Sequence, residues 1–246
     1  MTAPPPEDAA PEDLVDGRPS GDGELPDEPE VAAQVLGPGL EGARVLVREL
    51  AGEGVVRGVI GPREVPRLWS RHVLNCAVVA ELVPEGAVVL DVGSGAGLPG
   101  LVLALARPDL ELVLVDSALR RVRWLEHAVE VLDAAVPGPD LRVRVVRARA
   151  EELAGHEEAD VVTSRAVAPL DRLARWCAPL VAPGGQLLAV KGGTAADEVA
   201  AHGEALRRAG LLEPEVLTCG DGLLDEVTTV VRARVGARSA RARRRS

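Results

Sequence analysis

The stretch "LDVGSGAGLPG", residues 90–100, decides the fold. It closes the apolar run "AVVLDV" at 87–92, which predicts a buried strand, and its glycines allow a sharp turn into a helix predicted over 98–107. A strand that passes through a glycine-rich turn into a helix is the first unit of a nucleotide-binding α/β sheet. The string from Gly95 also satisfies G-x-G-x-x-G, although that match alone is a weak indication.

Beyond this turn, apolar runs alternate with segments of helical periodicity. Strands are predicted near 111–116, 141–146, 160–164 and 186–191, and helices over 118–132, 168–180 and 195–209. Two last strands, near 213–219 and 226–234, have no long helix between them and predict an antiparallel edge hairpin, while helices over 40–58 and 66–83 precede the sheet. The pattern predicts an α/β, Rossmann-like fold with a seven-stranded, mostly parallel sheet and a small N-terminal helical cap.

Charge divides the chain into a head, a body and a tail. Residues 1–30 are Pro-rich and hold ten Asp or Glu and one Arg, so we expect a disordered head. Residues 232–246 hold seven Arg and no acid, and either contact nucleic-acid phosphates or form a solvated end. We therefore predict a helical cap over 31–84, a cofactor-binding sheet domain over 85–235 and a basic disordered tail over 236–246.

Composition excludes several classes of protein. The three cysteines, Cys76, Cys177 and Cys219, lie far apart without metal-site spacing, which indicates free thiols in a reducing compartment. The N-terminus has no basic region followed by an apolar run, as a signal peptide would, and no stretch reaches the roughly 20 apolar residues of a membrane span. We expect a cytoplasmic protein with no membrane partner and no metal.

In a sheet of this kind the ligand binds outside the carboxyl ends of the strands. Asp91 ends the first strand, where a carboxylate would repel a pyrophosphate but attract the ammonium and sulfonium groups of S-adenosyl-L-methionine (SAM). Asp116 ends the second strand and can accept ribose hydroxyls from NAD and SAM alike. Ala150 and Glu151 follow the third strand, where an adenine edge would lie, although Glu151 is equally a first-turn acid favoured by the helix dipole. The strand ends favour SAM over a dinucleotide.

The fourth and fifth strands end in cations. The fourth ends in "VVTSRAVAPL", 161–170, which lacks the Asn/Asp-Pro-Pro-aromatic string of enzymes that methylate exocyclic base amines, and Cys177 lies too deep in the next helix to be a nucleophile. Arg165 stands here instead, facing the expected crevice. Lys191 ends the fifth strand and is the single lysine among 28 Lys and Arg. We predict that the two cations neighbour each other and that Lys191 contacts the substrate or shapes the cofactor mouth, where a longer, planar guanidinium would not fit, the alternative for Lys191 being chance survival.

Five motifs resemble one known family in their order and spacing: "LDVGSGAGLPG", "LVDSALRRVRWLE", "RAEE", "TSRAVAPL" and "LLAVKG". The chain is similar, from about 65 to 200, to the ribosomal RNA small subunit methyltransferase G family, also called the glucose-inhibited division protein B family. The resemblance implies a class I SAM-dependent methyltransferase that forms N7-methylguanine at a specific guanine of bacterial 16S rRNA in the small ribosomal subunit. A monomer is the default for an enzyme that docks on so large an RNA.

The resemblance also implies roles for particular residues. The SAM contacts of the family fall on Gly93, Leu98, the Ala150–Glu151 pair and Arg165, and Asp116 is the acid of the family's "DS" string. Asp91 and Gly95 join this cofactor-binding set from the strand-end argument, and Arg165 with Lys191 forms the candidate catalytic pair. The segment "RHVLNC", 71–76, is similar to the family's R-H-x-x-D-S but has Asn75 and Cys76 where Asp and Ser are usual. Arg71 and His72 of this segment either line the site or lie on the surface.

Guanine N7 has a free lone pair and no proton, so its methylation needs placement and no general base. A site without an obvious base is compatible with this reaction. Three alternatives stay open: a SAM enzyme acting on a small molecule, an NAD-binding oxidoreductase or sensor, and a non-catalytic RNA-binding module that uses the arginine tail.

Overall fold

One mixed sheet of seven strands organises the computed structural model, which describes residues 25–136, 138 and 141–236. The strands are β1 (Val88–Val92), β2 (Glu111–Asp116), β3 (Val143–Arg147), β4 (Ala159–Arg165), β5 (Val181–Lys191), β6 (Leu211–Cys219) and β7 (Thr228–Val235). Their order is β3-β2-β1-β4-β5-β7-β6, and β7 runs antiparallel to both of its neighbours, β5 and β6. The predicted Rossmann-like fold, with a mostly parallel sheet and an edge hairpin, is confirmed.

The α-helices are α1 (Ala32–Leu36), α2 (Leu40–Glu49), α3 (Asn75–Ala77), α4 (Gly100–Ala106), α5 (Leu119–Ala135), α6 (Ala150–Leu153), α7 (Leu170–Cys177) and α8 (Ala195–Arg208). The segment before β1 is helical but irregular, with 3₁₀ turns at 37–39, 62–67 and 78–82 and π turns at 50–54 and 68–74. Gly52 and Gly54 lower helix propensity in the first π turn, and Pro66 cannot donate a backbone hydrogen bond. The two regular cap helices predicted over 40–58 and 66–83 are therefore broken into short pieces.

The two faces of the sheet bury two apolar clusters, and neighbouring strand residues point to opposite faces. Val89, Leu112 and Leu114 pack against the N-terminal helical segment with α4 and α5, whereas Leu90 and Val113 pack against α6, α7 and α8. Trp124 of α5 is fully buried. The core thus holds the central strands rigidly, and their carboxyl ends form one edge on which a site can be built.

Some predictions differ from the structure or concern residues that it does not describe. Strand β5 begins at 181, five residues before the predicted 186, because the chain around Gly184 and Gly185 continues the strand irregularly beside β4. Residues 1–24 of the predicted head and 237–246 of the predicted tail lie outside the described residues, and the proposed domain limits stay predictions. None of the helices in the described ranges is long and apolar enough to cross a membrane.

Candidate active site

The glycine-rich loop after β1 turns back over the sheet. The backbone N–H groups of Gly93 and Ser94 both donate to the Val115 carbonyl, at 2.8 and 3.0 Å. Gly93 has a φ of +70°, and a Cβ there would lie 2.6 Å from Val167 Cγ2. Because only glycine combines this backbone angle with so close an approach, the loop requires it at this position. Trp124 Nε1 donates to the Ala96 carbonyl at 3.1 Å and holds the outer part of the loop.

Asp91 supports this loop from behind. Its Oδ2 accepts hydrogen bonds from Ser94 Oγ at 2.6 Å and from the Gly100 N–H at 3.0 Å, which fixes the loop to the start of α4. Burial raises the pKa of Asp91 to about 6, against the lowering effect of these two hydrogen bonds. Its Oδ1 is buried without a partner. A buried, incompletely paired carboxylate beneath the loop favours a cationic ligand nearby, but direct contact between Asp91 and SAM stays a prediction.

A cavity of about 700 Å³, the first cavity, opens at the carboxyl ends of β1, β2 and β4. Most of the predicted cofactor-binding residues line it: Gly93, Gly95, Leu98, Asp116, Ala150, Glu151 and Arg165. Asp91 lies behind this lining and Lys191 lies outside it. The sheet topology has therefore brought together residues from positions 93 to 165, and the volume is in the range of small-molecule sites.

The Asp116 carboxylate is oriented by the backbone. It is 4% exposed, its Oδ1 accepts from the Ala118 N–H at 2.9 Å, and its Oδ2 accepts from the Gly95 N–H at 3.2 Å. Arg121 Nη1 lies 3.4 Å from Oδ2, on a side chain that is 49% exposed. A ribose diol can replace this loose Arg121 contact without disturbing the backbone bonds, so the geometry fits the nucleoside of SAM.

Arg165 ties the sheet to the helical cap. Its Nη2 donates to His72 Nδ1 at 2.9 Å and to the Arg71 carbonyl at 3.1 Å, and its Nη1 donates to Cys76 Sγ at 3.1 Å. A guanidinium only donates, so His72 Nδ1 accepts, and Nε2 carries the proton toward Glu64 Oε2 at 2.8 Å. Burial, more than the nearby Arg165 charge, lowers the pKa of His72, and Glu64 opposes the shift. His72 is therefore neutral.

Asn75 and Cys76, the two departures from the family's string, both make contacts in the structure. Cys76 accepts from Arg165. With its amide oriented to donate, Asn75 contacts the Ser70 and Glu226 carbonyls at 3.2 Å each. The Asn75 carbonyl accepts from Thr228 Oγ1 at 2.8 Å. The cap is thus joined to the loop before β7 as well as to Arg165.

Lys191 is engaged in an internal pair. Its Nζ donates to the Ala168 carbonyl and to Glu198 Oε2, both at 2.8 Å, and its side chain is 10% exposed. Glu198 Oε2 also accepts from the Leu170 N–H at 3.1 Å. Arg165 pairs in register with Val190, so the two cationic strand ends are neighbours as expected. Lys191 nevertheless donates to the loop between β4 and α7 at Ala168 and to α8 at Glu198.

A second cavity, also about 700 Å³, lies beside the first over the ends of β4, β5 and β7. Both cavities are lined by Arg165, Ala166 and Val167. The second cavity adds Arg71 from the cap, Lys191 and Glu198, and Glu226 from the loop before β7. The site therefore has two adjoining compartments that meet at the end of β4.

Ile60 and Trp176 are among the lining residues of the first cavity that were not predicted from the sequence. Ile60 comes from the loop after the cap's first helices, and Trp176 comes from α7, where Arg172 lies 5.9 Å from its ring centroid. Trp176 directly precedes the buried Cys177, so its outward direction follows from helical geometry. The one available signal was composition, since the chain has only three tryptophans and no Tyr or Phe.

The same fold occurs in solved methyltransferases. A SAM-dependent O-methyltransferase from Thermotoga maritima superposes with a TM-score of 0.52 at 17% identity, covering 79% of this chain and 72% of that one. An O-methyltransferase family protein from Burkholderia thailandensis gives 0.51 at 16% identity, covering 79% and 62%. The chain thus has the fold of these SAM-dependent methyltransferases, and its glycine loop, the Asp116 carboxylate and the first cavity lie at the strand ends, where such a fold binds its ligand.

The sequence comparisons identify the family. The family described as rRNA small subunit methyltransferase G matches residues 40–226. The ribosomal RNA small subunit methyltransferase G of Salinispora arenicola is 54% identical over 216 residues, 85% of this chain and 87% of the relative, and that of Mycolicibacterium gilvum is 51% identical over 211 residues, 85% and 90%. The chain belongs to this family. The membership confirms the resemblance and removes the NAD-binding and non-catalytic alternatives.

Proposed function

We propose that this methyltransferase transfers the methyl group of SAM to N7 of a guanine of 16S rRNA in the small ribosomal subunit. The N7 lone pair forms the new carbon–nitrogen bond as the sulfur–carbon bond breaks, the positive charge moves from sulfur to the base, and no proton is transferred. The observation that carries this proposal is the meeting of the two cavities at Arg165, Ala166 and Val167. A cofactor in the first cavity and a base in the second would meet there.

The state of His72 supports an acceptor that needs no deprotonation. His72 is the histidine that lines the first cavity, and both of its ring nitrogens are engaged, Nδ1 by Arg165 and Nε2 by Glu64. A general base needs a nitrogen that can reach the substrate proton. His72 is instead a fixed link between the cap and β4, as a reaction governed by positioning requires.

We assign the first cavity to SAM, which when bound supplies an electrophilic methyl group on a sulfonium. Asp116 would accept the ribose hydroxyls, and the Ala150–Glu151 pair would meet the adenine. Gly93, Gly95 and Leu98 would follow the remainder of the cofactor along the loop. These residues bind and orient the cofactor, and none of them takes part in bond making.

Arg165 and Lys191 would act on the substrate side in different ways. A guanidinium has five N–H donors, and the contacts with Cys76, Arg71 and His72 leave donors of Arg165 for a ligand such as guanine O6. Lys191 would be a positioning residue, because its contacts with Ala168 and Glu198 hold the loop that both cavities share.

Labelled SAM and small ribosomal subunits, or 16S rRNA, from cells that lack this gene provide the test. After digestion to nucleosides we expect the label in 7-methylguanosine, and the better of the two substrates shows the form that the enzyme uses. Label in another nucleoside would overturn the choice of guanine N7 as the acceptor. SAM binding without label in either RNA would overturn the proposal and favour a small-molecule substrate. We also propose that the enzyme acts in the cytoplasm as a monomer. Size-exclusion chromatography with light scattering checks the oligomeric state.

A further inference from the structure

The charged groups that line the second cavity are not all paired with one another. Lys191 is paired with Glu198, and Arg165 is held by the cap. Arg71 and Glu226 line the same cavity and are exposed, and within the described part of the chain their side chains make no ion pair or hydrogen bond. An RNA-binding cavity gains from a free cation, which attracts phosphate, but a free carboxylate repels phosphate. The presence of Glu226 in this cavity therefore indicates a contact with a group other than phosphate.

A guanine base offers hydrogen-bond donors that a carboxylate can accept. When its N7 points to the methyl donor at the first cavity, its N1–H and N2–H₂ donors point to the opposite side. A carboxylate accepts from both in one bidentate contact, as Glu and Asp accept from other base amines. From this chemistry we propose that Glu226 reads the N1–H and N2–H₂ edge of the target guanine, an inference that rests on the proposed function.

The position of Glu226 fits this role. It precedes β7, which pairs with β5, which in turn pairs with β4, so two strand spacings of about 10 Å in total separate it from the strand of Arg165. That separation accommodates a purine between the two side chains. Gly192 and Gly193 also line this cavity and leave free space beside them, since a Cβ at either would meet no protein atom within 4 Å.

The backbone at Glu226 is held in place from the cap. The Asn75 amide donates to the Glu226 backbone carbonyl at 3.2 Å, and Thr228 Oγ1 donates to the Asn75 backbone carbonyl at 2.8 Å. The chain from Glu226 to Thr228 is thereby joined to the helix that also contacts Arg165. A side chain on a fixed backbone costs less ordering on binding than one on a free loop.

The contact has a consequence for the rate as well as for binding. Methylation puts a positive charge on the base and makes N1–H more acidic, so its hydrogen bond to a carboxylate strengthens toward the transition state. Interactions that strengthen in the transition state raise kcat. Loss of Glu226 is therefore expected to lower kcat.

The variant Glu226→Gln tests the inference, with Asp225→Asn as its matched control, because Asp225 is the exposed neighbour that does not line the cavity. Formation of 7-methylguanosine is measured on undermethylated small subunits. We expect Glu226→Gln to lower kcat/KM about 10- to 100-fold with SAM affinity unchanged, and Asp225→Asn to stay within about 2-fold of wild type. Simple electrostatics predicts the opposite sign for Glu226→Gln, because removing a negative charge favours RNA binding.

A second measurement replaces the target guanosine by inosine, which lacks N2–H₂, in ligated 16S rRNA. The wild-type enzyme should discriminate against inosine, and Glu226→Gln should lose most of that discrimination. Full activity of Glu226→Gln, or equal discrimination by both enzymes, would refute the role of Glu226 while leaving the proposed function intact. Absence of 7-methylguanosine with the wild-type enzyme would instead refute the proposed function, and the inference with it.

Discussion

Arg165 at the end of β4 donates a 2.9 Å hydrogen bond to Nδ1 of His72 in the cap, across 93 positions of sequence. Through Nε2, His72 continues this link to Glu64 at 2.8 Å. The orientation of Arg165 thus depends on a neutral imidazole, and the joint between cap and sheet depends on pH.

Acidification should weaken this joint. Burial lowers the pKa of His72 below its ordinary 6.5, so the unfolded chain binds the proton more readily than the folded one. Its contribution to stability is full above pH 6.5 and is lost as the pH falls through the lowered folded pKa. We expect the free energy of unfolding, measured in urea, to fall between pH 7.5 and pH 5. The variant His72→Asn, which keeps an acceptor for Arg165, should show a smaller fall. His156→Asn, at an exposed histidine, should follow wild type, and equal pH profiles for all three proteins would contradict this account.

Arg165→Lys should impair catalysis more than folding. A lysine cannot contact the Arg71 carbonyl, His72 and Cys76 together while still donating to a ligand. We expect kcat/KM for the small subunit to fall about 100-fold, the size of effect that misplacement can produce, while Tm falls by only about 2–4 °C as contacts with the cap are lost. Arg147→Lys, at the exposed end of β3, is the matched control and should change little. Comparable kcat/KM values for the two variants would count against a role of Arg165 in placement.

Lys191→Arg should lower activity although it keeps the charge. The ammonium makes two 2.8 Å contacts in a site where it is 10% exposed, and a planar guanidinium on a longer stem displaces the loop that carries Ala168. We expect about a 10-fold loss in kcat with little change in Tm. If Lys191→Arg retained full activity, the single lysine would be a chance survival.

A double-mutant cycle separates the pairing of Lys191 from its charge. Lys191→Met leaves Glu198 without its cationic partner and should lower the free energy of unfolding by about 1–3 kcal/mol. Glu198→Gln in the same chain should restore part of that loss, because it removes the unpaired charge. Additive effects in urea unfolding would show that the pair is not coupled.

Intrinsic fluorescence should report cofactor binding through a single residue. Trp69 and Trp124 are 4% and 0% exposed, whereas Trp176 lines the first cavity. Addition of SAM should change the emission of the wild-type protein, and Trp176→Phe should abolish that change while SAM still binds by calorimetry. Trp69→Phe is the control and should retain the signal. A signal that survives both Trp176→Phe and Trp124→Phe, the latter removing the indole that donates to the Ala96 carbonyl, would place the cofactor elsewhere.

The local parts of the site could be predicted from the sequence because local rules produce them. The turn at Gly93 requires a left-handed backbone angle. The alternation of strands and helices makes these strands parallel and so brings their carboxyl ends, with Asp116 and Arg165, to one edge of the sheet. The partners of Arg165 could not be predicted, because nothing local ties β4 to the cap. The direction of Asp91 was equally open, since hydrogen bonds from Ser94 and Gly100 turn its carboxylate behind the loop.

The amide of Asn75 limits how this chain can change. A carboxylate at position 75, as in the family's usual string, would face the carbonyl oxygens of Ser70 and Glu226 with no proton to donate. Reversion to aspartate alone would thus push the loop before β7 away from the cap. Position 75 therefore requires a hydrogen-bond donor wherever these two backbone carbonyls keep their present places, so the aspartate of the family's usual string cannot be grafted onto this chain by itself.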